Sequence, residues 1–242
     1  MLRVIPIASQ SAGTPSPSAI LEKAIQSIGG RRDLESIKSF EMHGIMRLPN
    51  GTPVIEIELS TARGGKVLGV LSFIGLGQAR FGSDGVTSWE QIFEADQTPL
   101  WSLIDQATLS QKVRQINWFE WLTTLPSYLE SMRVKGKTMF DGEECYEISY
   151  TTNTEVEKYA FFSCKTDRPK GRRTIENTTN GDATVDVFFR DWDEVSFLQM
   201  FHTVIFNRDG VEVMFKMDNI ELNTAPDSIF VLPLEIRQII ES

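Results

Sequence analysis

His43 and His202 are the side chains best suited to proton transfer near neutral pH. His43 sits in an alternating run beside Met42 and Gly44, and His202 lies among Met200, Phe201, Val204 and Phe206. Neither has an evident serine, cysteine or metal-ligand partner near it in sequence, so both are expected to be structural. Two carboxylate clusters, Asp141 with Glu143 and Glu144, and Asp191 with Asp193 and Glu194, could do general acid and base work if buried as pairs. Both flank expected turns, where carboxylates are solvated and accept local backbone hydrogen bonds. Ser83, Asp84 and Glu90 in RFGSDGVTSWEQ form a third polar group, and the Asp84-Gly85 step marks it as a turn with Trp89 packing inward behind it. Cys145 and Cys164 belong to no metal pair and no Cys-x-x-Cys motif. A hairpin turning near Asn153 would set Cys145 opposite a residue near 161, so two free, partly buried thiols are expected. Gly64-Gly65 and the GLG at 75 to 77 lack the lysine and the strand-to-helix setting of a phosphate loop. The residues thus imply no catalytic group, no metal and no cofactor, and the chain is expected not to be an enzyme.

The net charge of -9, from 33 acidic and 24 basic residues, opposes attraction to phosphate backbones and anionic membrane surfaces. Nucleic acid is not an expected partner. The one basic cluster, Arg168, Lys170, Arg172 and Arg173, surrounds Pro169 and Gly171 and is read as a solvated turn. No apolar run is long enough for a transmembrane helix. The opening MLRVIPIASQSAGTPSPS has a basic residue and a small-residue tail like the end of a secretory signal, but its apolar stretch, Val4 to Ala8, is short. Either the chain is cytoplasmic, or its start lacks the front of a signal peptide and the protein is exported.

The elements that must position any site follow from periodicity. Residues 1 to 18 are expected to be a linker or signal remnant. Ile20, Leu21, Ala24, Ile25 and Ile28 then recur at helical spacing, with Ser16 and Pro17 as N-cap and first residue and Gly29-Gly30 as the stop. From Glu35 the period becomes two, and Asn50-Gly51, Asp84-Gly85, Asp141-Gly142, Asn180-Gly181 and Asp209-Gly210 punctuate segments that read as strands. Twelve strands are expected, near 35–48, 53–62, 66–74, 78–83, 86–92, 132–140, 143–151, 156–163, 172–179, 183–190, 199–208 and 211–222. The fold class is therefore mainly β (α+β): an antiparallel meander, curled into an incomplete barrel because a flat sheet this long would leave long edges.

Residues 99–131 interrupt the alternation and carry Trp101, Trp118, Phe119, Trp121, Leu122 and Leu125 at spacings that suit short helices. They are read as a helical lid over the concave face of the sheet, with Phe73, Phe161, Phe189 and Phe206 as sheet-side lining. Two readings of that face stand. It shelters an apolar ligand, or it is filled by the chain's own side chains and the domain is a scaffold for a protein partner.

With helix, meander and insertion in place, the chain resembles the lipoprotein carriers and receptors LolA and LolB and the related bacterial outer-membrane lipoprotein-sorting proteins. The likeness covers residues 19–242 as one domain and rests on ILEKAIQSIGGRRDLESIKSFEMHG, SDGVTSW, VKGKTMFDGEECYEISY and NIELNTAPDSIFVLP, in that order. The resemblance implies a half-barrel around helices, an apolar cavity for acyl chains, no bond chemistry, and a periplasmic carrier of a lipid or lipidated protein. It places the family's turn on Asp84, Gly85 and Trp89 and its basic residue before the third strand on Arg63. The carrier often has Arg-Pro there, where this sequence has Arg63-Gly64, and no lipobox cysteine stands near the N-terminus.

Overall fold

The computed structural model of the protein describes residues 14–93, 98–117, 119, 124–152, 157–178 and 181–242. Ser16 caps helix α1 (Pro17–Ser27) by accepting from the backbone N–H of Ala19 at 3.3 Å, and Pro17 takes the first helical position, where a missing N–H costs nothing. A short helix, α2 (Arg31–Ser36), leads into the sheet. Six strands follow, β1 (Ser39–Arg47), β2 (Pro53–Ala62), β3 (Lys66–Phe73), β4 (Gly77–Asp84), β5 (Ser88–Phe93) and β6 (Pro99–Leu103). Helix α3 (Gln106–Ile116) and a 3-10 helix (Leu125–Ser131) come next. The second run comprises β7 (Arg133–Phe140), β8 (Glu143–Thr151), β9 (Glu157–Ser163), β10 (Pro169–Thr178), β11 (Gly181–Val195), β12 (Leu198–Arg208) and β13 (Val211–Leu222). A 3-10 turn (Asp227–Phe230) and helix α4 (Leu234–Glu241) end the described chain.

All these strands join one antiparallel sheet in the order β6-β5-β4-β3-β2-β1-β13-β12-β11-β10-β9-β8-β7. The first and last strands meet at its centre, with Phe40 opposite Leu222 and Arg47 opposite Met214. The sheet is not closed into a barrel, and its two edges, β6 and β7, are consecutive in the chain. Passing from one edge to the other, the chain crosses the inner face through α3 and the first 3-10 helix. Leu109, Val113 and Ile116 of α3, with Phe119 and Leu125, join one buried cluster with α1 and with inward residues of the sheet such as Phe40, Leu59, Phe189 and Phe215.

Asx-Gly punctuation acts in two ways. Asp141-Gly142 and Asp209-Gly210 form two-residue turns with positive φ at both positions, between the pairs Phe140–Glu143 and Arg208–Val211. Asp84-Gly85 lies in a four-residue connection between Ser83 and Ser88, where the Asp84 carboxylate accepts from the N–H groups of Val86 at 2.9 Å and Thr87 at 2.8 Å. Asn50-Gly51 also sits in a longer loop, closed by the Leu48 N–H on the Thr52 carbonyl at 2.9 Å. Asn180 lies outside the described residues.

Two expectations are corrected here. Residues 99–103 are strand β6, hydrogen-bonded to β5 with Trp101 opposite Gln91, so the helical part of the crossover begins at Gln106. Five residues are too few for a period of two to stand apart from a helical one. The basic stretch at 168 to 173 is not a solvated turn either: it leads into β10, with a bulge between Pro169 and Gly171.

The central seam has a bulge of its own between His43 and Gly44. A β-carbon on Gly44 would stand 2.4 Å from the Lys216 carbonyl oxygen and 2.7 Å from the Phe215 ring, and the carbonyl belongs to the paired backbone and cannot yield. Gly44→Ala is expected to destabilise the fold by about 1–3 kcal/mol, as overpacking does. Urea denaturation monitored by circular dichroism reads the shift, and an unchanged midpoint would show that the seam adjusts freely.

Candidate functional site

The inner face is filled on one side of α3 and open on the other. Between α1, the first 3-10 helix and β9, Leu21, Ile25, Leu125 and Phe162 leave a crevice of about 10 Å³, room for little more than one water. Between α2, α3 and the ends of β1, β2 and β3 lies a cleft of about 510 Å³. Phe40, Val67, Leu109, Val113 and Phe119 form its apolar wall, each of them buried, and Phe119 stacks on Phe40 with ring centroids 6.3 Å apart. Leu34 and Ile37 close the α2 side. Polar residues also line it: Arg63 of the β2–β3 connection, Lys66 at the start of β3, Glu35, Gln106 and Ser110 of α3, and Asn117 just past that helix.

Local sequence explains why α3 stands there. The Asp105 carboxylate caps it by accepting from the Thr108 N–H at 2.7 Å, and Leu109, Val113 and Ile116 repeat at the spacing of one helix face. The Lys112 ammonium meets the Glu90 carboxylate at 2.8 Å, and the Ser88 hydroxyl lies 3.2 Å from Gln106, so β5 holds the helix at two points. Glu90 is thus an anchor for the crossover. The Arg63 guanidinium donates from Nε to the Ile37 carbonyl at 3.0 Å and from Nη2 to the Glu35 carbonyl, fastening the β2–β3 turn to the segment after α2. Lys66 pairs with Asp227 at 2.9 Å.

Of the lid residues expected from sequence, Phe119 lines the cleft and Leu125 the filled crevice. Trp118, Trp121 and Leu122 lie outside the described residues. Trp101 is on the opposite face: its ring tilts against Trp89 at 5.5 Å, while the intervening Ser88 and Glu90 point to α3. Trp89 is buried, but on that outer face against Gly82, whose β-carbon would stand 2.8 Å from the indole. Of the sheet residues, Phe189 and Phe206 face the inner cluster and Phe73 is half-buried at the end of β3. Phe161 is corrected. It stacks on Phe140 at 3.7 Å in a separate outer cluster with Cys145, Phe188 and Ile205, and Phe162 is the ring that faces inward. A one-residue difference in parity reverses the face of a strand residue. The cleft residues that sequence reasoning missed, Leu109 and Val113, carried a helical signal that the nearby tryptophans overshadowed.

One carboxylate of each acidic cluster is held by neighbouring side chains. Asp141 accepts from Arg190 at 2.5 and 3.1 Å and meets Lys170 at 3.2 Å, and Asp191 accepts from the Thr203 hydroxyl at 2.5 Å. Burial acts to raise the Asp141 pKa, but the hydrogen bonds and charges of Arg190 and Lys170 outweigh it and hold the carboxyl below its ordinary value. A folded-state pKa below the unfolded value near about 4 gives stability that is present above that pH and lost as pH falls through the folded value. Asp141→Asn is therefore expected to flatten the fall in urea midpoint below about pH 4. A fall as steep as that of the parent protein would assign the acid sensitivity to other groups.

Cys145 faces Ser163 rather than a residue near 161, and both thiols are free, Cys145 fully buried and Cys164 half-buried. Burial, with the charge of Glu143, pushes the Cys145 thiol up to about 12, so it is a protonated thiol at neutral pH. A thiol reagent at pH 8 is expected to modify Cys145 only after denaturation. Labelling of native Cys145, read by peptide mass spectrometry, would contradict this.

Comparison with solved structures places the architecture. A DUF1329 family protein from Desulfovibrio piger superposes with a TM-score of 0.55 at 10% identity, over 90% of this chain and 98% of that one. A LolA superfamily protein from Nitrosomonas europaea superposes with a TM-score of 0.53 at 12% identity, over 90% of this chain and 99% of that one. At such identities the likeness is one of fold, and the chain has a LolA-like fold. No family model and no curated protein matches the sequence.

Proposed function

We propose that the protein is a non-catalytic carrier that shelters the apolar tail of a lipid or lipidated protein in the cleft between α3 and β1–β3, and that it works in the bacterial envelope. The observation that carries this reading is the cleft of about 510 Å³ walled by Phe40, Val67, Leu109, Val113 and Phe119. Water in such a place loses hydrogen bonds, and an acyl chain replacing it is stabilised by about 0.8 kcal/mol per buried CH₂. Arg63 and Lys66 in its lining suit a tail that ends in a polar group. The LolA-like fold of the chain supports the same reading, since one protein it resembles is named for the LolA superfamily. A scaffold would need no such space.

Entry and exit follow from how α3 is held. The Lys112–Glu90 pair and the Ser88–Gln106 contact fasten the helix on the β5 side. Small movements of α3 would widen the cleft without breaking sheet hydrogen bonds.

Lipid extracted with organic solvent from the purified protein is expected to appear in its mass spectrum. Ser110, half-exposed on the cleft side of α3, allows the cleft to be filled without burying a charge. Ser110→Phe should reduce lipid binding about tenfold or more, the loss of a few buried methylenes, at an unchanged melting temperature. Lipid binding unaffected by that substitution would remove the cleft from the mechanism.

A further inference from the structure

The four basic residues at and just before the start of β10 part company in the fold. Arg168 donates to Gln199 at 3.0 Å and stands over the Trp192 ring, Lys170 meets Asp141, and Arg173 forks onto Asp186 at 2.6 and 2.9 Å. Arg172 goes elsewhere. After the bulge it lies opposite Ala160 of β9 and Val187 of β11, both in the inner cluster, so its side chain is on the inner face. Lys158 shares that face, opposite Tyr150 of β8 and Thr174 of β10, one step along the ladder from Arg172. Arg114 of α3 is close enough for its charge to act on Lys158.

Among the described residues no carboxylate pairs with Arg172, Lys158 or Arg114. Burial lowers the pKa of the Arg172 guanidinium, and burial together with the charges of Arg172 and Arg114 lowers that of the Lys158 ammonium. The other basic groups of β10 show that this chain, with a net charge of -9, has acids enough to neutralise its cations. Two like charges neighbouring on one partly dehydrated sheet face repel one another, and an anion bound between them stabilises the arrangement.

We propose that Arg172 and Lys158 form a binding site for a phosphate group, whether borne by a lipid head or free in solution. The guanidinium fork of Arg172 matches two oxygens of a tetrahedral oxyanion, and Lys158 adds a point charge beside it. The site is separate from the cleft, whose lining includes neither Arg172 nor Lys158. Its lipid arm rests on the carrier reading, and its free-phosphate arm does not.

Titration calorimetry on the full chain tests it, with inorganic phosphate as one probe and phosphatidylglycerol against uncharged diacylglycerol in the same detergent as the other. The parent protein is expected to bind inorganic phosphate, or to prefer phosphatidylglycerol, and Arg172→Gln and Lys158→Gln are each expected to weaken that binding about tenfold or more, the loss of one charge-assisted contact. Arg172→Lys should keep more affinity than Arg172→Gln, and melting temperatures show that each variant is folded. Should Arg172→Gln fail to fold, Lys158→Gln carries the same comparison. Phosphate bound with no lipid of either kind supports the site and counts against the carrier reading alone. Phosphate retained by Ser110→Phe also supports a site apart from the cleft. Neither phosphate binding nor any preference between the two lipids, or equal affinity in the parent and both charge-removing variants, overturns the proposal.

Discussion

The pairing of β1 with β13 governs the rest of the molecule. Because the first and last strands of the sheet meet at its centre, each half of the chain must run outward from or inward to that seam, and the two open edges fall next to each other in sequence. The chain between them crosses over the inner face, where Leu109, Val113, Phe119 and Leu125 join the buried cluster. What looks like an insertion in the sequence is thus required by the topology, and its apolar residues are there because the face it crosses must be kept from water. The bulge at His43 and Gly44 lies in this seam, where a glycine lets the backbone of β13 approach more closely than any side chain would allow.

Helix α3 divides the space it crosses. On the side of α1 and the first 3-10 helix, aliphatic and aromatic side chains interlock until almost nothing is left empty. Toward β1, β2 and β3 the helix stands away from the sheet, and the wall it shares with Phe40 and Val67 remains open. Toward β9 and β10 the sheet presents Lys158 and Arg172 instead of apolar groups. A single helix held at its β5 side by one ion pair and one polar contact therefore borders a filled core, an apolar cleft and a basic patch.

Much of this architecture was legible in the sequence, because two of its signals are physically local. A period of two is imposed by the pleat itself, and Asp-Gly steps such as Asp141-Gly142 meet a backbone requirement that few residue pairs satisfy. The rest depended on contacts that no short window contains. Strand β6 exists because β5 offers hydrogen bonds to it, and Pro99–Leu103 has no alternation long enough to announce that. The bulge before Arg172 shifts parity by one residue, so that Lys170 and Arg173 are ion-paired while Arg172 turns to the inner face. For Phe161 and Phe162, adjacency made both faces equally plausible, and only the register chose between them. The cleft was the least legible feature, since Leu109 and Val113 read as ordinary helix core and the space in front of them is set by where β2 ends and β3 begins.

The central seam also bears on how the chain reaches this state. Local hairpins such as β7–β8, joined by two-residue turns, can form early and independently, but Phe40 finds Leu222 only after nearly the whole chain has been made. Until then β1 is an unpaired edge with apolar residues on one side, and the first six strands are a sheet without a partner. Folding on the ribosome must therefore hold that edge out of other pairings until the last strand arrives, and the polar residues of β1, Glu41 and His43, are placed where a foreign strand would meet them.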